Sequence, residues 1–284
     1  MTDTAPQPLN IRALLRDKGT LRLDQQGSAE WRRITEASLE EYRDHHQAGD
    51  YPSAILETMS MFEGFVAKWA GIWGVRSMID LGCGIGTNLP PYARNIAGTI
   101  DYAGLDPLDE NPDRDYAFIC GRLEDLAEQP MDEKFGLATF ATSLDHFEDA
   151  RNALALAAKL TGGGHVIVWS GLHDSPLIAR SELSTRIIDL CRTNRTTLTR
   201  TLAFWLYAAL TWPRVAWHLA RRERKLTAGK PLDSLHFHYF TENRLKALLE
   251  SVGTVHEFTQ CPGLNAVFAA VTLSPDSPVS PKSK

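Results

Sequence analysis

The feature that most constrains this chain is a glycine-rich run, D-L-G-C-G-I-G, at residues 80–86. It overlaps a short apolar stretch at residues 77–81 that is typical of a buried strand. Glycines accept positive φ angles and let backbone pass close to a ligand, and a helix that begins beyond them offers free N–H groups. A tight strand-to-helix turn and a dinucleotide site both contain such runs. Thr87 stands where a dinucleotide motif has its third glycine, so a diphosphate is not the obvious ligand.

Apolar strands and helical segments alternate beyond this run, which predicts an α/β fold with a largely parallel sheet and helices on both faces. The pattern indicates strands at residues 77–81, 102–105, 116–120, 135–142, 165–169, 255–259 and 265–272. It indicates helices at residues 87–96, 150–160 and 241–251, the last of them capped by Thr241. We expect residues 261–264 to join the last two strands as a hairpin.

Composition limits the classes of protein to which the chain can belong. Of its 284 residues, 43% are hydrophobic and 23% charged, which is typical of a globular protein with a core. The net charge of -5 argues against a nucleic-acid partner, which usually binds a basic domain. The four cysteines are widely spaced and the N terminus has no apolar signal sequence, so we expect a reducing, cytoplasmic location.

Two acidic residues stand at predicted strand ends beside the glycine-rich run. Asp106 ends the second strand, where an acidic residue of doubly wound nucleotide-binding folds accepts hydrogen bonds from the hydroxyls of a ribose. Asp80 precedes the glycines and is a candidate to meet a cationic amino group, directly or through water. The two positions favour a ligand that carries a ribose and an amino group.

Several segments, in family order, resemble the class I S-adenosylmethionine-dependent methyltransferases. Residues 78–87, M-I-D-L-G-C-G-I-G-T, resemble motif I of that family, and residues 104–107, G-L-D-P, resemble motif II. The segments that resemble its adenine loop, motif IV, the turn before strand five and the late helix start are residues 121–126, 140–149, 160–164 and 237–242. The resemblance implies a Rossmann-like, seven-stranded, mostly parallel sheet with an antiparallel final strand.

The same resemblance implies S-adenosyl-L-methionine as the cofactor and assigns roles to the matching residues. The residues that would line its methionine part are Asp80, Gly82, Cys83, Gly84 and Gly86. Asp106, with Pro107 after it, would hold the ribose. Arg122 and Leu123 would flank the adenine, and Thr142 would close over the sulfonium.

The chain departs from the family pattern between the second and third predicted strands. Only residues 107–115 connect them, and a crossover that contains a helix usually needs a dozen residues or more. We therefore expect no helix at this place and a partly bare sheet face beneath it. None of the matching cofactor residues is affected.

Asp145 and His146 are the leading candidates for acid–base chemistry. They follow the fourth predicted strand at the carboxyl edge of the sheet, where ligands bind in open α/β folds. Histidine is the commonest base at neutral pH, and a hydroxyl acceptor must lose a proton on methylation. The alternative is that His146 caps or packs under the next helix.

Other histidines offer weaker candidates. His173 follows the fifth predicted strand at the same edge, either facing the acceptor or lying in a surface loop. His236 and His238 would share a face if their segment is extended, and with Asp174 they are a conceivable metal site. Because hard cations prefer oxygen ligands and no dense carboxylate cluster stands out, we expect no metal.

The segment between the fifth strand and the late helix is distinct. Residues 192–230 carry nine basic residues and a single acidic one, around an apolar aromatic run that is too short to span a bilayer. Such a run suits a lid over the site or a homodimer contact, and less well an interfacial helix on a membrane surface. The sequence thus predicts disordered tails at 1–10 and 274–284, an N-terminal helical cap at 11–75, and a cofactor-binding domain at 76–273 with a helical lid at 172–235.

Together these features predict an enzyme that methylates an oxygen, or a nitrogen, of a small molecule such as a natural product or a sugar-containing metabolite. Oxygen is favoured because a His–Asp pair suits hydroxyl deprotonation. The alternatives are a non-catalytic cofactor-binding or scaffold protein with the same fold, and an enzyme that acts on a lipid-linked acceptor at a membrane surface. A nicotinamide oxidoreductase is disfavoured by the spacing of the glycines.

Overall fold

The computed structural model describes residues 8–48, 53–94, 96, 98–109, 113–172, 235–261 and 266–274, and six single positions between 213 and 228. Its helices within these ranges are α1 (Ile11–Asp17), α2 (Ala29–Ala48), α3 (Ser53–Trp73), α4 (Leu123–Ala127), α5 (Ala150–Leu160) and α6 (Glu242–Glu250). Its strands are β1 (Thr20–Arg22), β2 (Ser77–Leu81), β3 (Asp101–Asp106), β4 (Ala117–Cys120), β5 (Leu137–Ala141), β6 (His165–Gly171), β7 (Gly253–Cys261) and β8 (Ala266–Leu273).

These strands form one sheet in the order β1-β4-β3-β2-β5-β6-β8-β7. All described pairs are parallel except those of β8, which runs antiparallel to both β6 and β7. The predicted α/β sheet with an antiparallel final strand is therefore confirmed, with eight strands instead of seven. The additional strand is β1, which the N-terminal segment contributes to the edge of the sheet by pairing with β4.

The strand order reverses at β2, and this reversal positions the functional site. From β2 the chain continues outward through β3 and β4, then crosses back to β5 on the other side of β2. The crevice at the carboxyl ends of strands beside such a reversal is where ligands bind in open α/β sheets. The central strand β2 is buried on both faces, as expected for a parallel strand between two helical layers.

Two hydrophobic cores cover the two faces of the sheet. One includes side chains of α1, α4, α5 and α6, and the other includes the aromatic side chains of α3. Helix α5 begins and ends at the predicted residues. Its start is fixed by the carboxylate of Asp149, which accepts a 2.9 Å hydrogen bond from the Asn152 N–H. Thr241 caps α6 in the same way, through the Arg244 N–H.

The helix predicted at residues 87–96 does not form in the described part of that segment. A single 3-10 turn, Pro91–Ala93, takes its place. Pro90 and Pro91 have no N–H to donate, and a residue before proline is pushed away from helical angles. The chain is instead tied to the loop before β4, since the Leu89 N–H donates to the Asp115 carboxylate over 2.7 Å.

The sheet face below residues 107–115 is covered, contrary to our expectation, although the described residues of that connection contain no helix. The guanidinium of Arg114 lies 3.7 Å above the ring of Phe118, which is fully buried. Arg114 also donates to the carbonyls of Gly86 and Gly84 over 2.6 and 3.2 Å. A buried cation that stacks on an aromatic ring therefore closes the face that a helix would normally cover.

The remaining predictions concern segments at the edge of the described chain. Strands β7 and β8 are antiparallel neighbours, but residues 262–265, the predicted hairpin turn, lie outside the described residues. So do both predicted tails in large part, and the predicted lid except for its first and last residues and its six single described positions. Among the residues that the structure describes, none of the helices combines the length and the hydropathy that a bilayer crossing requires.

Candidate active site

A cleft that is open to solvent lies at the carboxyl ends of the central strands, at the reversal of strand order. The residues that line it are Trp31, Ile34, Thr35, Ser38, Gly82, Leu105, Asp106, Pro107, Leu108, Gly121, Arg122, Leu123, Glu124, Ser143, His146, Phe147 and Glu148. They come from the ends of β2, β3, β4 and β5 and from one face of α2. The cleft therefore lies where the sequence predicts the cofactor.

The glycine-rich turn forms the floor of the cleft. Gly82 has a φ of 86°, and its N–H donates to the carbonyl of Leu105 over 2.8 Å. A side chain at Gly82 would lie 2.5 Å from Cβ of Ser143, so only glycine fits between the ends of β2 and β5. Gly84 has a φ of 75°, but open space surrounds the position that its side chain would take. A side chain therefore has no room at Gly82, whereas the space beside Gly84 is open.

The other predicted methionine-lining residues hold the turn from below. The carbonyl of Gly86 accepts 2.6 Å hydrogen bonds from Arg114 and from the hydroxyl of Tyr116. Cys83 packs its sulfur against Gly104 of β3, and burial raises the pKa of its thiol well above the usual range. Gly82 lines the cleft, whereas Cys83, Gly84 and Gly86 are not among its lining residues.

Asp80 is not among the residues that line the cleft, and its contact with an amino group, directly or through water, stays a prediction. Its side chain is fully buried, and it accepts hydrogen bonds from Tyr92 at 2.5 Å and Tyr102 at 2.8 Å. Its other oxygen accepts from the hydroxyl of Thr139 over 3.0 Å. Burial raises the pKa of Asp80 despite these donors. Asp80 therefore ties β2 to its neighbouring strands beneath the turn.

Asp106 lies where the sequence predicts it, on the cleft wall at the end of β3. One carboxylate oxygen accepts from the Gly84 N–H at 2.8 Å and the other from the Leu108 N–H at 2.9 Å. Burial raises the pKa of Asp106 to about 6, while the two N–H donors and Arg114 act in the opposite direction. Each oxygen of an ionised carboxylate can accept more than one hydrogen bond, so both retain capacity for a ligand hydroxyl.

Arg122, Leu123 and Trp31 form a flat wall beyond Asp106. Leu123 begins α4 and is buried, and the guanidinium of Arg122 lies 4.9 Å from the centre of the Trp31 ring. Glu124 and Glu148 hold the same guanidinium at 3.1 and 3.5 Å. The buried Nε of Arg122 has no hydrogen-bond partner among the described residues, although a buried donor normally has one. The wall thus combines apolar surface with a guanidinium group, which suits a purine base.

Helix α2 is the part of the cleft that sequence reasoning missed. Four of its residues line the cleft: Trp31, Ile34, Thr35 and Ser38. Their spacing places them on one face of a helix, which is a signal that the sequence contains. The sequence predicts a cap in this region but does not single out these four residues, because helical spacing alone does not reveal which surface a helix covers.

Thr142 is not among the residues that line the cleft, and Ser143 lines it instead. Thr142 is exposed, with a φ of 61°, and its N–H donates to the carbonyl of Trp169 over 2.8 Å. A β-branched residue in this left-handed region is strained. The strained turn directs the chain from β5 into the 3-10 turn Leu144–His146, where Ser143 donates its hydroxyl to the carbonyl of Leu81.

Asp145 and His146 meet a third side chain, His236, beside the cleft. The closest oxygen of Asp145 is 3.9 Å from Nε2 of His146, and the other is 4.0 Å from Nε2 of His236. The two imidazole rings are 4.6 Å apart, and His146 lines the cleft. These three residues, called here the acceptor cluster, bring two imidazoles and one carboxylate together.

The loop that carries His236 is fixed to Asp145 through the backbone. The N–H groups of Phe237 and His238 donate to the Asp145 carbonyl over 2.9 and 3.1 Å. His238 lies elsewhere, since its Nε2 accepts from the Ala150 N–H at 3.2 Å and burial lowers its pKa. His236 and His238 therefore do not form a joint site. His173 and Asp174, the other predicted candidates, lie outside the described residues.

A family model described as a methyltransferase domain matches residues 74–255, which is more than half of the chain. The chain belongs to this methyltransferase family. The motif resemblance found in the sequence is thereby confirmed, and so is the prediction that the chain is a methyltransferase. The match covers the central strands, the glycine-rich turn and the acceptor cluster.

Solved structures of other methyltransferases share the Rossmann-like fold. The 1,6-didemethyltoxoflavin-N1-methyltransferase of Burkholderia thailandensis, solved with 1,6-didemethyltoxoflavin and S-adenosylhomocysteine, is 14% identical, with 89% of this chain and 93% of that chain covered and a TM-score of 0.52. The plantazolicin methyltransferase BpumL, solved with S-adenosylhomocysteine, is 11% identical, with coverages of 86% and 96% and a TM-score of 0.50. None of the curated proteins matches the sequence. At these identities the similarity establishes the fold.

Proposed function

We propose that this methyltransferase transfers a methyl group from S-adenosyl-L-methionine to an oxygen, or a nitrogen, of a small-molecule acceptor. The observation that carries the proposal is the cleft itself. It is lined both by a buried carboxylate, Asp106, and by His146 of the acceptor cluster. Methyl transfer to a hydroxyl needs both a nucleoside site and a group that takes up the acceptor's proton.

The residues of the cleft fit the cofactor. Asp106 would accept hydrogen bonds from the ribose hydroxyls, as its position at the end of β3 predicts. Arg122, Leu123 and Trp31, which line the cleft together, would enclose the adenine. The open space at Gly84 leaves room for the methionine part. When bound, S-adenosyl-L-methionine supplies a methyl group on a sulfonium, which is electrophilic.

His146 is the residue that we assign to proton uptake. Its Nδ1 lies 2.9 Å from the carbonyl oxygen of Leu235, so Nδ1 carries the hydrogen and Nε2 keeps its lone pair. A hydroxyl acceptor gives its proton to this Nε2 as its oxygen gains the methyl group. Asp145, 3.9 Å away, stabilises the imidazolium that results. This arrangement favours oxygen over nitrogen, because a neutral amine does not need to lose its proton before it attacks.

The first experiment is a calorimetric titration of the full chain with S-adenosylmethionine, S-adenosylhomocysteine and NAD. Micromolar binding of the first two without binding of NAD is the expected result. Binding would be followed by an acceptor screen in which S-adenosylhomocysteine is quantified. Absence of cofactor binding would refute the proposal, and binding without turnover of any hydroxylated or amine acceptor would favour the non-catalytic alternative.

A further inference from the structure

The acceptor cluster has the dimensions of a metal site. The ligand atoms of Asp145, His146 and His236 all lie within 4.8 Å of one another. Separations of 3.9 and 4.0 Å between the carboxylate oxygens and the imidazole nitrogens are too long for hydrogen bonds. Two ligands of one zinc ion, each about 2.0–2.1 Å from it, are separated by roughly 3–4 Å. Small movements of the side chains would thus allow all three to bind a common ion.

The orientation of His146 supports this interpretation. Its Nδ1–H is directed to the Leu235 carbonyl at 2.9 Å, which turns the lone pair of Nε2 towards Asp145. A hydrogen bond from the second ring nitrogen to a backbone carbonyl is the usual way in which proteins orient an imidazole that binds a metal. Because Phe237 and His238 are also bonded to the Asp145 carbonyl, the backbone around His236 is fixed in the same place.

We propose that Asp145, His146 and His236 bind one divalent transition-metal ion of the zinc class. Two imidazoles and one carboxylate form a ligand set that zinc uses in catalytic sites, where a fourth position stays open. Magnesium prefers sites made of oxygen ligands alone, so it does not fit this set. The buried carboxylate of Asp145 offsets part of the charge of the ion.

The role of the ion rests on the function proposed above. Since His146 lines the cleft, the open position of the ion faces the place of the acceptor. A hydroxyl bound there has a lowered pKa and releases its proton to solvent, and its oxygen then accepts the methyl group. With the ion bound, His146 is a ligand, and it acts as the direct proton acceptor only in metal-free protein.

The test uses the full chain, stripped with a chelator and then titrated with Co²⁺, whose visible absorption reports on its coordination. We expect binding of about one ion per chain, displacement by Zn²⁺, and no displacement by millimolar Mg²⁺. His236→Gln and Asp145→Asn should each weaken binding at least about tenfold. The matched control is His256→Gln, since His256 is exposed and lies outside the cluster.

A variant that misfolds also loses Co²⁺ binding, so one further variant is chosen to gain a spectroscopic signal. His236→Cys should retain Co²⁺ and add a near-ultraviolet charge-transfer band, since a thiolate is a ligand for this class of ion. The proposal is wrong if the wild type binds no Co²⁺, or if His236→Gln and Asp145→Asn bind it as tightly as the wild type. Calorimetry with S-adenosylmethionine on the stripped protein separates the two proposals, because loss of the metal site alone leaves cofactor binding intact.

Discussion

Two parts of the cleft are assembled in different ways: the residues around Asp106, called here the cofactor end, and those around His146, called here the acceptor end. The cofactor end joins Gly84 to Asp106, which are 22 residues apart, by a direct hydrogen bond between adjacent strand ends. The acceptor end joins His146 to Leu235 across 89 residues, through a loop that precedes α6. A ligand that a whole family shares can be bound by residues close together in the sequence. The residues proposed to contact the acceptor come instead from segments that are far apart in the sequence. We therefore expect substitutions at the two ends to affect different measurements.

The largest effect is expected at the acceptor end. His146→Gln should lower turnover by roughly 10²–10⁴-fold, because it removes either the proton acceptor or a metal ligand. Cofactor affinity should change little, since His146 is not one of the residues assigned to hold the cofactor. Turnover measured as S-adenosylhomocysteine release, beside calorimetry, tests both statements. A parallel loss of cofactor affinity would show that the two ends are not independent.

Gly82→Ala should be the most damaging change to the cofactor end. It places a side chain 2.5 Å from Cβ of Ser143 at a φ of 86°, so strain and overlap together should lower the free energy of unfolding by about 2–4 kcal/mol. The matched control is Gly71→Ala in α3, where nothing lies within 4 Å and alanine should stabilise by up to about 1 kcal/mol. Denaturant unfolding of both variants checks the comparison; equal effects would contradict it.

Asp106→Ala should weaken the binding of S-adenosylmethionine by about 1–3 kcal/mol, or roughly 5- to 150-fold. The reason is the loss of a charged acceptor for the ribose hydroxyls. Calorimetry measures the dissociation constant. Unchanged affinity would refute the ribose assignment and would move the nucleoside to another part of the cleft.

Cofactor affinity should also depend on pH through Asp106. Burial raises its pKa from about 3.8 to about 6, so the carboxylate that accepts from the ribose is present above pH 6 and is lost as the pH falls through 6. Affinity should then drop by up to about tenfold per pH unit. Calorimetry between pH 5 and 7.5 measures this, and Asp106→Asn should remove the dependence. A wild-type profile that stays flat over this range would assign the ribose contact elsewhere.

The contribution of Asp106 to folding has the opposite sign. Between about pH 4 and 6 the folded protein keeps a proton that the unfolded chain has lost. The stability from this group is therefore fully present below about pH 4 and is lost as the pH rises through 6. Unfolding of the cofactor-free wild type, compared with Asp106→Asn, separates this effect from the other carboxylates. At neutral pH the folded state is therefore less stable, because it keeps an ionised carboxylate buried on the cleft wall.

The sequence allowed close prediction wherever local chemistry decides the structure. Helix α5 has the predicted limits because Asp149 caps it and its apolar residues repeat at helical spacing. The glycine-rich turn and Asp106 were predicted in the right place, since both stand at the ends of apolar strands. Residues 87–96 were predicted wrongly as a helix, because Pro90 and Pro91 interrupt that segment and a 3-10 turn forms instead.

Other features depend on contacts between distant segments. The packing of neighbouring strand ends buries Asp80 beneath two tyrosines. The same packing decides that Ser143, and not Thr142, lines the cleft. The choice of His236 over His238 as the partner of Asp145 follows from a loop bonded to the Asp145 backbone. No local spacing encodes either outcome.

The sequence by itself determined the family, the parallel sheet and the cofactor end of the cleft, because these depend on strand patterning and on glycines whose conformations are local. The tertiary structure decided which face of α2 closes the cleft, how Arg114 replaces a helix on the sheet, and which histidine completes the acceptor cluster. These depend on the burial and direction of side chains brought together only when the strands align. The physical reason is that hydrogen-bond and packing partners separated by tens of residues leave no periodic trace in the chain.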